Sequence, residues 1–215
     1  MIVVGFALMA VPMLASPARA EEQVLLALGD SLTQGYGLEQ GDGLVPQLEG
    51  WLRDHGHEVR VINGGVSGDT SAGGLSRVAW SLTPEVDAVM VALGGNDLLR
   101  GIDPADTRAN LDGILEQVQG RGLPVLLVGM QAPGNFGAEY KARFDAIYPE
   151  LAEARGALLL PSLMAPVLGD PAAPDLAGAA KWLQADGIHP NAEGVTRIVA
   201  ALGPEVEALL AQAGQ

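Results

Sequence analysis

The chain has 215 residues with no cysteine and only 3 histidines, which excludes a disulfide framework, a cysteine nucleophile and thiolate metal sites. Its 26 acidic side chains against 12 basic ones give a net charge of −14, a field that repels nucleic acid and anionic membrane surfaces. With 48% hydrophobic residues and no low-complexity tract, it can bury the core of one domain.

In chain order, residues 1–20 come first, "MIVVGFALMAVPMLASPARA". They carry no charge before Arg19 and end in Ala18-Arg19-Ala20, the small-residue spacing that signal peptidase prefers. The segment reads as a cleaved secretory signal, leaving a single domain over 21–215. An uncleaved membrane anchor is the competing reading, because the apolar stretch approaches the length that spans a bilayer. Pro12 and the Ala-x-Ala ending favour cleavage. Export without disulfides suits a bacterial periplasm or the extracellular space.

Nearly continuous apolar runs follow at 24–28, 59–62, 88–93, 125–128 and 157–160, the pattern of parallel strands buried on both faces. Amphipathic helices are predicted between and after them at 44–55, 74–82, 104–119, 140–155 and 191–210. Asp103 and Pro104 read as N-cap and first residue of the third helix, with Gly120 and Gly122 as its stop. His55 and His57, in "RDHGHEV", read as a polar turn from helix to strand rather than a metal site. The Pro- and Ala-rich stretch 165–180 reads as a surface excursion. The βαβα alternation predicts right-handed crossovers, helices on both faces of a five-stranded parallel sheet, and ligands at the carboxyl ends of the strands.

Four glycine-marked loops are expected on one sheet edge. They are Gly29-Asp30-Ser31, the stretch from Gly64 to Asp69, Gly94-Gly95-Asn96-Asp97, and the stretch from Asp186 to Asn191. Together they contain each part that acyl transfer needs. Ser31 supplies a hydroxyl, and His189 can take its proton and return it to the leaving group. Asp186 can orient the imidazole, while the N–H groups of Ser31 and Gly68 and the amide of Asn96 can hold an oxyanion. Taken singly, Ser31 could be a helix cap and Gly68 and Asn96 tight-turn residues; their joint occurrence favours chemistry. Asp30, Asp69 and Asp97 read as turn-holding groups that bond to backbone N–H. A phosphate cradle is disfavoured, because no P-loop pattern occurs and "GYGLEQG" lacks the dinucleotide spacing. Ser67 does not stand in a Gly-x-Ser-x-Gly elbow, since Asp69 occupies the place of the final glycine.

The stretches "GDSLTQGYG", "GVSGDTSAGG", "LGGNDLLRG" and "DGIHPN" resemble, in their usual order, the four blocks of the SGNH or GDSL hydrolases. Including "FDAIYPELA", the chain is most similar to the periplasmic bacterial branch of acyl-CoA thioesterases, lysophospholipases and arylesterases. The resemblance implies a flavodoxin-like three-layer αβα sandwich, no metal or cofactor, and hydrolysis of esters and thioesters through an acyl-enzyme. It carries the nucleophile to Ser31, oxyanion donors to Ser31, Gly68 and Asn96, and the acid and base to Asp186 and His189. It also implies that 98–103, with Leu98 and Leu99, holds the acyl chain. The expected enzyme is a monomer acting on a small acyl ester or thioester, without nucleic acid and without stable membrane insertion once the signal is removed. A carbohydrate-ester deacetylase and a non-catalytic binding module on the same scaffold are the alternatives; 4% aromatic residues provide few platforms for sugar rings.

Overall fold

The computed structural model describes residues 22–169 and 175–214. The expected signal, 1–20, lies outside them. Five strands form one parallel sheet in the order β2-β1-β3-β4-β5, with β1 at Gln23–Gly29, β2 at Val59–Gly65, β3 at Ala88–Ala92, β4 at Val125–Val128 and β5 at Leu158–Leu160. This is the flavodoxin-like order expected from the resemblance. The chain leaves β1 first toward β2 and later returns to its other side as β3, so a crevice opens between β1 and β3 beyond their carboxyl ends. Every residue of β3 is buried, as a strand covered on both faces requires.

Helices α1 (Ser31–Gln34), α2 (Leu44–Asp54), α3 (Ser71–Ser81), α4 (Gly95–Leu99), α5 (Pro104–Gln119), α6 (Ala138–Asp145), α7 (Ile147–Arg155), α8 (Ala165–Leu168), α9 (Leu176–Ala179) and α10 (Ala192–Ala213) complete the described fold. Helix α2 packs on α10, and α3 packs on α5, which also touches α7. Two helical layers thus enclose the sheet. The α2–α10 contact is close because Gly203 has no side chain: a Cβ there would collide with the indole of Trp51. Pro104 starts α5 behind Asp103, whose carboxylate accepts from Ala105 N–H at 2.9 Å, as the sequence predicts.

Two predicted helices differ from those observed. The segment 140–155 forms α6 and α7, separated at Ala146. Pro149 accounts for the break, since its ring cannot coexist with the carbonyl of Asp145 in a continuous helix. Helix α3 begins at Ser71 rather than 74, because Thr70 caps it by accepting from Gly73 N–H, so Gly73 and Gly74 lie inside the helix. The stretch 165–180 contains the short helices α8 and α9. His55 stacks on Trp51 with ring centroids 3.6 Å apart, and His57 Nε2 lies 3.0 Å from Glu207.

Candidate active site

At the end of β1 the chain turns abruptly into α1, with Asp30 as its cap: the Asp30 carboxylate accepts from Leu32 N–H at 3.0 Å. Ser31, the first residue of that helix, therefore projects beyond the sheet edge. Its Oγ lies 2.9 Å from Nε2 of His189. The other imidazole nitrogen, Nδ1, lies 2.7 Å from Asp186 Oδ2. With Nδ1 carrying its proton toward Asp186, Nε2 is free to accept from the serine.

The loop that carries Asp186 and His189 is held by its own backbone. Leu183 bridges Pro190, Gln184 N–H donates to His189 O at 2.8 Å, and Asn191 N–H donates to Trp182 O at 2.9 Å. Asn191 then caps α10 by accepting from Gly194 N–H at 3.0 Å. Asp186 Oδ1 accepts from the N–H groups of both Ile188 and His189, at 2.9 and 3.0 Å. Those bonds, led by the one from Ile188 and strengthened by the imidazole contact, hold the Asp186 carboxyl down at about 2. It is thus ionised wherever a hydrolase works. Gln184 joins this loop to the serine loop by donating to Tyr36 O at 2.8 Å, and the Tyr36 ring packs against His189 with centroids 4.7 Å apart.

Gly68 and Asn96 stand on the loops after β2 and β3, on either side of the serine loop. Neither Ser31 N–H nor Gly68 N–H donates to any acceptor among the described residues, as suits groups kept for a ligand. Gly68 adopts φ +80°, a conformation that L side chains rarely take. Asn96 is the second residue of α4, and its amide lies 3.4 Å from Asp30 Oδ2. Asp30 is only 2% exposed, and burial pushes its carboxyl up to about 6 against the Leu32 N–H, His189 and Asn96, which favour its charged form.

Asp30 and Asp97 each accept from a backbone N–H, as expected of turn-holding acids, whereas the Asp69 carboxylate is held by a side chain. Asp69 pairs with Arg77 at 2.7 Å, and Arg77 also donates to Gly29 O at 2.9 Å, which ties the second loop to the end of β1. Asp97 is fully buried and accepts from Ser71 N–H at 2.8 Å, from the Ser71 hydroxyl, and from Thr107 Oγ1 at 3.2 Å. This network fastens α4 to α3 and α5. Ser67 contacts Gln34 and has no histidine partner.

Ser31, Gly68, Asn96 and His189 all border one cleft of about 630 Å³. Leu98 and Leu99 form part of its wall, as expected, and Met130, Phe136, Met164 and Leu168 extend the apolar surface. Those four residues lie on the segments that follow β4 and β5, Leu168 at the end of α8, and these segments carry no chemistry-bearing motif. The run "GMQAPGNFG" does carry glycine and proline signals at the carboxyl end of a strand, so the rule that located the other loops would have found this wall. Four of the large apolar side chains that remain exposed, Tyr36, Leu99, Phe136 and Ile188, gather at this cleft.

The model of the GDSL-like Lipase/Acylhydrolase family matches residues 27–197. Esterase TesA of Pseudomonas aeruginosa is 37% identical over 193 residues, which are 89% of this chain and 92% of that protein. Thioesterase 1/protease 1/lysophospholipase L1 of Escherichia coli strain K12 is 38% identical over 173 residues, 80% of this chain and 77% of that one. The crystal structure of AlinE4, an SGNH-hydrolase family esterase, is 45% identical with a TM-score of 0.71, covering 90% of this chain and 99% of its own. With its sheet order, its four loops on one edge and these relatives, the chain belongs to the GDSL-like lipase/acylhydrolase family of ester hydrolases.

Proposed function

We propose that the chain cleaves carboxylic esters and thioesters with Ser31 as nucleophile, His189 as general base and acid, and Asp186 as the group that orients the imidazole. The observation that carries this reading is the relay from Asp186 Oδ2 through His189 to Ser31 Oγ, with separations of 2.7 and 2.9 Å at the mouth of an apolar cleft. Ser31 Oγ attacks the acyl carbonyl and passes its proton to Nε2. The tetrahedral oxyanion takes hydrogen bonds from Ser31 N–H, Gly68 N–H and the Asn96 amide. Collapse expels the alcohol or thiol, which receives the proton from His189 and leaves an acyl-serine. A water molecule deprotonated by the same imidazole then releases the acid and restores the serine.

The cleft wall of Leu98, Leu99, Met130, Phe136 and Met164 favours an alkyl or aryl acyl group over a sugar face. The relatives named for esterase, thioesterase and lysophospholipase activity point to the same substrate class. The three residues of the relay come from one chain, so a monomer holds the complete relay. The composition of residues 1–20 supports export with cleavage after Ala20, and with it a location in the periplasm or outside the cell. Among the described residues no helix is long and apolar enough to cross a membrane.

Treatment with a fluorophosphonate followed by peptide mass mapping tests the assignment. The expected result is one adduct on Ser31 and none in Ser31→Ala, which also loses hydrolysis of a p-nitrophenyl ester while keeping its melting temperature. Labelling at another residue, or an active Ser31→Ala, overturns it.

A further inference from the structure

Gly68 has little to hold it in place. It is an exposed glycine at φ +80°, in a turn closed by Asp69 N–H donating to Val66 O at 3.0 Å. Rotation of the peptide between Ser67 and Gly68 turns the Gly68 N–H away from the site, and Gly68 has no side chain of its own to resist it. Several bonds secure this turn on the side of the serine loop. Val66 N–H donates to Gly29 O at 3.1 Å, Asp69 pairs with Arg77, and Ser67 contacts Gln34. Asn96 lies on the opposite side, because β1 separates β2 from β3 in the sheet.

One side chain reaches Gly68 from that opposite side. Arg100 Nη2 donates to the Gly68 carbonyl at 2.7 Å, and a Cβ built at Gly68 has only this nitrogen within 4 Å. Arg100 caps the C-terminus of the helix whose first turn holds Asn96, and its backbone N–H donates to Asn96 O at 3.1 Å. The same residue therefore grips Gly68 with its side chain and Asn96 with its backbone. Among the described residues Arg100 makes no ion pair, so its guanidinium is not drawn away by a carboxylate. The buried bonds from Asp97 to Ser71 join the same two loops at greater depth, without touching Gly68.

We propose that Arg100 is a positioning residue, whose guanidinium fixes Gly68 relative to Asn96 and so sets the spacing of the oxyanion donors on either side of Ser31. Arg100 touches no reacting atom. It acts through Gly68, and the inference rests on the assignment of Ser31 and Gly68 above. Because the grip is on a donor for the tetrahedral species, its loss weakens transition-state binding and leaves ground-state binding of the acyl chain in place.

The test compares Arg100→Ala and Arg100→Lys with the wild-type chain. Five quantities are measured: the kcat and KM for a p-nitrophenyl ester, the inhibition constant of an alkyl trifluoromethyl ketone that adds to the serine as an oxyanion, the fluorophosphonate labelling rate, and the melting temperature. Loss of a whole oxyanion donor costs about 100- to 1000-fold, so a loosened one is expected to lower kcat roughly 10- to 30-fold with KM nearly unchanged. The inhibition constant for the ketone should rise by the same factor, and Arg100→Lys, which keeps one donor and the charge, should recover most of both. Should Arg100→Ala fail to fold, Arg100→Gln is compared with Arg100→Lys by the same readouts.

Wild-type kcat and wild-type ketone affinity in a folded variant overturn the proposal. So does a loss confined to KM, which would make Arg100 a substrate-binding group. A wild-type chain that is not labelled on Ser31 overturns the nucleophile assignment itself, whereas a labelled wild type with an equally fast Arg100→Ala overturns only the role of Arg100.

Discussion

Ser31 and His189 are 158 positions apart in sequence, yet their side chains meet at 2.9 Å, and the contact joins the start of α1 to the loop that enters α10. As both side chains point into a solvent-accessible cleft, removing the imidazole leaves the core intact. His189→Ala is expected to lose at least about 1000-fold in kcat/KM for a p-nitrophenyl ester with little change in thermal melting, and combining it with Ser31→Ala should add almost nothing.

Asp186 makes a stability prediction with a defined sign. Its carboxyl titrates at about 2 in the native state against an ordinary 3.8, so the unfolded chain takes up a proton first as pH falls. The stabilisation from its hydrogen bonds is therefore complete above pH 3.8 and disappears on acidification toward about 2. Denaturant melts of the wild type and Asp186→Ala should differ at pH 7 and converge near pH 2.

Asp30 predicts the opposite trend. Burial holds its carboxyl up at about 6, so between 3.8 and 6 the native state keeps a proton that the unfolded chain releases, and stability falls as pH rises through that interval. Asp30→Asn, which has nothing to ionise, should gain on the wild type between pH 4 and pH 8 by up to roughly 3 kcal/mol. The same variant should be slower, because an amide at position 30 no longer presents a carboxylate to the Asn96 amide.

Gly94 has φ +112°, and a Cβ there would press into the hydroxyl of Tyr148, which donates to Leu93 O at 3.0 Å beneath the Asn96 loop. Gly94→Ala is expected to cost about 2 kcal/mol and to reduce activity by shifting Asn96. Removing the hydroxyl should relieve part of the collision, so Gly94→Ala with Tyr148→Phe should be less unstable than the sum of the single changes.

Leu99 is 60% exposed and borders the cleft, so truncating it spares the fold. Leu99→Ala should lower kcat/KM for a long-chain ester about tenfold and leave an acetate ester within about twofold, in line with the apolar area removed. An equal effect on both esters would remove Leu99 from the acyl-binding wall.

Much of this architecture could be read from local chemistry. The five strands announced themselves as apolar runs, and the five proposed site residues lay where glycine-rich turns follow strands or precede the last helix. Less legible were features that depend on what a side chain meets after folding. Arg77 and Arg100 look alike on paper, yet one clamps Asp69 to Gly29 and the other grips Gly68 across the site. Helices α1 and α4 are too short to show a period, having 4 and 5 residues. Pro149 could have warned of the break in the helix predicted at 140–155, but its neighbours keep an amphipathic pattern that continues past it. The opening block likewise contains Tyr36, whose place against His189 follows from the path of a loop near the other end of the chain.

That path also orders events in time. During synthesis the serine and the oxyanion loops emerge well before residues 183–190, and the base is in place only once α10 has docked against α2, with Gly203 receiving Trp51. A chain still being made therefore carries the Ser31 hydroxyl with nothing to remove its proton. The relay is completed in one step, with the arrival of the last helix.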